Sequence, residues 1–265
     1  MEGFQVLQLG QIDRADDKPP YRQIAGMLRE AISSGQLASG GERLPSEAEL
    51  INHFGVARMT VRQAMQVLGG EGLVVTQHGR GVFVRSAPPI RRLASDRFAR
   101  RHRASGKAAF TVEAEKSGYT PQVDNITVTR EKPNPTVAER LRLTSEDDVV
   151  VRSRRYLADD RPVETAISYI PAAFAEGTKI EQTDTGPGGI YARLEEAGHT
   201  LARFTEEVGG RMPTPEERRV LQIPAGVPVL TVVRTAYDVN DVAVEVCDTV
   251  KVASAYLLEY DFSAR

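Results

Sequence analysis

The sequence has no tryptophan, one cysteine and four histidines, and aromatic residues make up only 6% of its 265 positions. So few rings argue against a stacking surface for single-stranded nucleic acid. The lone Cys247 excludes an intramolecular disulfide framework, and the paired-cysteine motifs of zinc sites are missing. No apolar run approaches the roughly 20 residues of a membrane-spanning helix. Residues 1–20 are polar and acidic, without the basic start and apolar stretch of a secretory signal. The expectation is a cytoplasmic protein with no membrane partner, no metal and no cofactor. There is no HExxH, no GxxxxGK[ST] phosphate loop and no Ser/His/Asp spacing. The paired acids, such as Asp147-Asp148 and Asp159-Asp160, fall mostly in turns or on helix faces, where solvation explains them, so no catalysis is expected.

What is present is an ordinary globular composition, 41% apolar and 26% charged, of a length that suggests two domains. The net charge of −2 hides an asymmetry. Residues 1–108 carry 16 Lys and Arg against 10 Asp and Glu, whereas residues 109–265 carry 18 against 26. A basic first part joined to an acidic second part points to a polyanion partner for the first alone.

Residues 1–18 read as an N-terminal arm. Pro19-Pro20 then starts a helix, and Ile24, Met27, Leu28, Ala31 and Ile32 recur with helical spacing before Gly35. Ser46 and Glu49 have the spacing of a capping box, opening a second helix that buries Leu50, Ile51 and Phe54 and stops at Gly55. A third, over residues 57–68, places Val61, Ala64 and Leu68 on one face and Arg58, Arg62, Gln63 and Gln66 on the other. Two short β-prone runs, 73–76 and 82–84, flank the glycine-rich tip Gly79-Arg80-Gly81. Helix, helix, helix, hairpin is the order of a winged helix, at 19–85.

Residues 86–108 read as a basic linker: the stretch 85–107 holds eight Lys and Arg against the single acid Asp96, with a helical pattern over 93–103. Beyond it, β-branched alternation predicts strands at 124–130, 149–156, 163–170, 229–237 and 242–252. Helical patterns lie at 110–118, 136–141, 190–197 and 214–221. Together they suggest one α+β domain at 109–262. Leu141-Arg142-Leu143 ahead of Asp147-Asp148-Val149-Val150 resembles Leu221-Gln222-Ile223 ahead of Gly226-Val227-Pro228-Val229, which suggests a repeated half-domain.

Several strings carry a family resemblance. Leu44-Pro45-Ser46-Glu47-Ala48-Glu49-Leu50, then Phe54-Gly55-Val56-Ala57-Arg58-Met59-Thr60-Val61-Arg62-Gln63-Ala64, resembles the DNA-binding domain of GntR-superfamily regulators. Leu68-Gly69-Gly70-Glu71-Gly72-Leu73 and Gln77-His78-Gly79-Arg80-Gly81-Val82-Phe83-Val84 resemble its wing. The remainder resembles the UTRA effector-binding domain of the HutC subfamily, through Leu157-Ala158-Asp159-Asp160-Arg161-Pro162, Ser168-Tyr169-Ile170-Pro171 and Glu245. The implied fold class is α+β: a winged helix-turn-helix followed by a chorismate-lyase-like UTRA domain.

The resemblance implies a transcriptional regulator, a repressor released from a two-fold operator by a small molecule. A fixed DNA-binding repressor or plasmid-maintenance factor without effector is the alternative, and an enzyme on the chorismate-lyase-like domain a more distant one. The expected partners are double-stranded operator DNA, a small effector, anionic in one reading, and a second copy of the chain. Physical reasoning supports the first partner independently, because arginine at a helix start reads guanine through two parallel hydrogen bonds in the major groove. Two arginines at i, i+4 alone would describe a solvated helix face; the surrounding pattern makes them a DNA edge. The candidate DNA contacts are Arg43, Ser46, Arg58, Thr60, Arg62, Gln63, His78, Gly79 and Arg80. Ala48 departs from the arginine that many members carry there.

For the effector, alternation sends Arg152 and Arg154 to one face of a strand and Arg155 to the other, so two guanidiniums face a pocket suited to a phosphate or carboxylate. Surface pairing of these arginines with acids such as Glu164 is the competing reading. Ser168 and Glu245 match ligand contacts of the family. Tyr156 stands at a position that is basic in sugar-phosphate binders, and Lys251 at one that is aromatic in the family; these six are the candidate effector residues.

Overall fold

Pro19 and Pro20 fix the entry to α1 (Pro20–Ser33), which buries Ile24, Ala25, Leu28 and Ala31 along one face. In α2 (Glu47–Phe54) the capping box is formed: the Ser46 hydroxyl accepts from the Glu49 amide, and the Glu49 carboxylate accepts from the Ser46 amide. Gly55, at φ 60°, ends that helix in the left-handed conformation that glycine adopts without a Cβ penalty. α3 (Arg58–Gly70) turns Val61, Ala64 and Leu68 inward. The hairpin β1 (Val74–Gln77) and β2 (Gly81–Val84) is antiparallel, and Leu44 joins it by donating to the Val82 carbonyl at 2.8 Å. These elements close on one core around Leu28, Leu50, Phe54, Val61 and Leu68. Ser46→Ala is expected to lower the unfolding free energy by about 1 kcal/mol through loss of the cap, read by urea denaturation.

This computed structural model describes residues 9–37, 43–77, 80–84, 89–101, 105–223 and 226–262. The chain divides into two compact units, Met1–Pro88 with Ile223–Pro228, and Pro89–Gln222 with Val229–Arg265. Of the expected arm, residues 9–18 are fastened to the first unit. Leu9 and Ile12 pack on its core, the Leu9 carbonyl lies 3.0 Å from His53 Nε2, and the Asp13 amide donates to Gln23.

The second unit begins inside the segment expected to be a linker. β3 (Ile90–Leu93) pairs in parallel with β10 (Tyr256–Glu259), and a single turn, α4 (Ala94–Arg97), follows. Two of the eight basic residues that gave this stretch its linker character are spent internally: Arg92 is fully buried against Glu206, and the Arg97 side chain is buried against Glu113. After α5 (Ala109–Lys116) come β4 (Pro121–Glu131), α6 (Pro135–Leu141), β5 (Val149–Ala158) and β6 (Arg161–Pro171). The short α7 (Ala172–Ala175) and α8 (Gly189–Glu196) lead to β7 (Leu201–Arg211), α9 (Pro215–Val220), β8 (Val229–Asp238) and β9 (Ala243–Val252).

The antiparallel six-stranded sheet has the order β4-β5-β6-β9-β8-β7, palindromic about its centre. β4, α6 and β5 begin at residues 121, 135 and 149, and β7, α9 and β8 at 201, 215 and 229, each 80 residues later. The local chemistry repeats as well. Asn134 and Thr214 cap their helices ahead of a proline, and Arg142 and Gln222 leave them with φ of 55° and 53°. The half-domain repeat suggested by two short phrases is therefore a property of the whole sheet.

Candidate functional site

In the first unit, the start of α3 presents a polar edge. Its N-terminal amides have no side-chain cap, because Ala57 holds the N-cap position, and such free donors suit a phosphate. Arg58, Arg62 and Gln63 are exposed and Thr60 is half-buried. Arg58 and Arg62 both donate to Glu47 on α2, at 3.0 and 3.1 Å. Burial raises the Glu47 carboxyl, but the hydrogen bonds from Arg62 and Arg58 outweigh this and hold it below the usual range. The acid thus holds both guanidiniums beside the helix start through exposed ion pairs, which are weak. Arg43 and Arg80 are exposed, Arg43 bridging to Phe83 and Arg80 lying 5.8 Å from the Phe83 ring. Ser46 is engaged in its cap. His78 and Gly79 lie outside the described residues.

In the second unit, a cavity of about 460 Å³ lies on one face of the sheet, within the size range of small-molecule sites. The strand register sets two rows beneath it, Arg152–Ser168–Cys247–Arg234 and Arg154–Ala166–Thr249–Val232, of which all but Ser168 and Val232 line the cavity. Arg152 and Arg154 do share this face, and both line the cavity. Arg155 lies on the other face, held by Asp124 at 2.6–2.8 Å. Glu164 is not a surface partner of Arg152 or Arg154 but a buried acid, 2% exposed, bonded to Lys251 and to the Tyr256 hydroxyl.

Arg152 is 3% exposed and donates to the carbonyls of Ile180, Gln182 and Thr183, pinning that segment over the sheet. Burial lowers its pKa to about 10. Arg154 donates to the Tyr156 hydroxyl at 2.6 Å, the Arg152 carbonyl at 3.2 Å and Ser168 Oγ at 3.0 Å. Among the described residues it makes no ion pair with an Asp or Glu. Tyr156 and Glu245 also line the cavity, whereas Ser168 and Lys251 lie behind its wall, reaching it through Arg154 and Glu164 respectively.

Glu245 accepts from Tyr191 at 2.5 Å and sits 3.5 Å from Arg234. Burial raises its carboxyl, but Arg234, Ser168 and Tyr191 together hold it ionised. Burial likewise opposes charge on Glu164, yet Lys251 and Arg97 bring it down to about 2. Burial brings Lys251 down to about 8, although Glu164 favours its charge.

Sequence reasoning missed Arg234, Tyr191, Phe98 and the buried position of Glu164. Arg234 was findable, since it stands 80 residues after Arg154 in the repeat. Phe98 was concealed by its basic neighbours; its ring stacks on Phe204 at 4.2 Å, with the Arg234 guanidinium 4.7 Å away. The loop glycines Gly188 and Gly189 adopt φ of 81° and 68° and border the cavity at the start of α8. Among the described residues no group of His, Cys, Asp and Glu is arranged for a metal ion, and no helix is long and apolar enough to cross a membrane.

A winged helix with a polar recognition edge, followed by a sheet domain with a charged cavity, defines the class of helix-turn-helix transcriptional regulators. Family models agree. Residues 20–84 match the bacterial regulatory proteins of the gntR family, and residues 116–256 match the UTRA domain. The chain belongs to the gntR family of regulators, in the branch that carries a UTRA domain.

It is 32% identical over 254 residues to the HTH-type transcriptional regulator SCO4628 of Streptomyces coelicolor, covering 94% of each chain. It is 31% identical to the HTH-type transcriptional repressor NagR of Bacillus subtilis, over 88% of this chain and 90% of that one. The crystal structure of PhnF from Mycobacterium smegmatis shares the fold, with a TM-score of 0.60 at 23% identity, over 91% of this chain and all of that one. The family and the Streptomyces and Bacillus relatives are transcriptional regulators, not enzymes.

Proposed function

We propose that this chain represses transcription as a homodimer on a two-fold operator, one α3 to each half-site, and that a small anionic effector in the cavity releases it. In this reading residues 19–85 bind DNA and residues 109–262 hold the effector and the dimer contacts. The segment 86–108 joins them, its part from residue 89 being built into the effector unit. The observation that carries the effector half of the reading is Arg154, a cation on the cavity wall that makes no ion pair with an Asp or Glu among the described residues. A half-buried cation with only neutral hydrogen-bond partners is left under-compensated by the charge of Glu245 alone, and a bound anion supplies a direct counter-charge.

Two-fold operators call for a two-fold protein. Ligand then favours an arrangement whose recognition helices no longer match adjacent half-sites, a coupling of typically about 1–3 kcal/mol. Arg154→Gln is expected to keep operator binding and lose effector-driven release in a reporter assay. Release that survives this substitution unchanged would contradict the assignment of the cavity.

A further inference from the structure

The two halves of the sheet carry the same ionic pair, and only one half completes it. Arg154 on β5 and Arg234 on β8 are counterparts in the repeat. So are Glu164 and Glu245, which face Tyr156 and its counterpart Ala236 in the strand register. In the second half Arg234 meets Glu245 at 3.5 Å. In the first half Lys251 and Tyr256 take Glu164, and Arg154 is left with neutral acceptors. Lys251 thereby engages the acid whose counterpart pairs with arginine in the other half.

Two of the three acids lining the cavity are engaged by side chains, while the exposed Asp184 accepts from the Gly186 amide. Glu245 is bonded to Tyr191 and Ser168, and Glu164 to Lys251 and Tyr256. The walls around them are apolar or aromatic: Phe98, Phe110, Tyr156, Tyr191, Ile126 and Ile190. Of the five N–H groups of Arg154, three serve neutral oxygens, and one more points toward Cys247 Sγ at 4.0 Å, a weak acceptor. One N–H of Nη1 is therefore uncommitted, and the Nη2 hydrogen aimed at Cys247 is held only weakly, so these two can turn to a planar, two-oxygen acceptor. Arg152, whose terminal nitrogens serve three carbonyls, adds a second positive charge, and its buried Nε has no hydrogen-bond partner among the described residues.

We infer that the cavity takes an organic monocarboxylate with an aromatic or branched apolar body, its carboxylate on Arg154 and its body against the rings, rather than a polyhydroxylated phosphate. The inference rests on the reading of the cavity as the effector site. Its test is thermal melting of the full-length chain with 3-phenylpropionate and indole-3-acetate, against 3-phenylpropionamide, glucose 6-phosphate, glucosamine 6-phosphate and inorganic phosphate.

The expected result is a rise of about 5 °C or more at a hundredfold the dissociation constant for the carboxylates, and none for the amide. Arg154→Gln should abolish the rise; the amide comparison on the unaltered chain stands even if that variant folds poorly. Stabilisation by the sugar phosphates alone would overturn the inference and leave the effector reading standing. Silence from every probe would count against both, and equal stabilisation by acid and amide would remove Arg154 from the contact.

Discussion

Replacing Lys251 with methionine is expected to lower the free energy of unfolding by about 3–5 kcal/mol, the usual cost of removing one partner of a buried ion pair. The side chains of Lys251 and Glu164 are each 2% exposed. Without the ammonium, the Glu164 carboxylate keeps the Tyr256 hydroxyl and the more distant charge of Arg97, which places the loss toward the lower end of that range. The double variant Lys251→Met with Glu164→Gln removes the stranded charge along with its partner and is expected to recover most of the loss, since a buried pair contributes little net stability over neutral side chains of similar volume. Urea denaturation of the two variants makes the comparison. A neutral single variant would mean that Glu164 is not carried as an anion in the folded chain.

Arg58→Ala is expected to weaken binding to the selected operator duplex by about 1–3 kcal/mol and to relax the preference at one base pair. Its side chain is 68% exposed and is anchored by the exposed pair with Glu47. Exchanging that pair for a guanine edge therefore forfeits little. Titration of the specific duplex and of a scrambled one by fluorescence anisotropy separates the roles. An equal loss on both duplexes would make Arg58 a phosphate contact.

The DNA-binding half was the more legible because its signals are local. The Ser46–Glu49 box, Gly55 and the apolar faces of the three helices each act within a few residues, and the structure forms all of them. In the second half, β-branched alternation found β4, β5, β6, β8 and β9, but not β7. That strand lies at the sheet edge, exposes much of its length and carries Gly209-Gly210, so little of it reads as a buried face. β3 was hidden for another reason: Arg92 is buried only because Glu206, more than a hundred residues on, neutralises it.

The candidate site divides along the same line. Alternation along one strand placed Arg152 and Arg154 on a common face. The meeting of Glu164 with Lys251 depends on the register of β6 against β9, which no local pattern discloses. Arg234 fell between these cases, since its role follows from the repeat once the repeat is recognised.

The proposed function requires the cavity and the DNA edge to be coupled. The most direct measurement is the affinity of the full-length chain for its selected operator duplex, with and without a compound that raises its melting temperature. Such a compound is expected to weaken DNA binding about 5- to 150-fold, the range of a typical allosteric coupling. By reciprocity, DNA should weaken the binding of that compound by the same factor. A compound that stabilises the chain through Arg154 and leaves operator affinity unchanged at saturation would contradict that coupling.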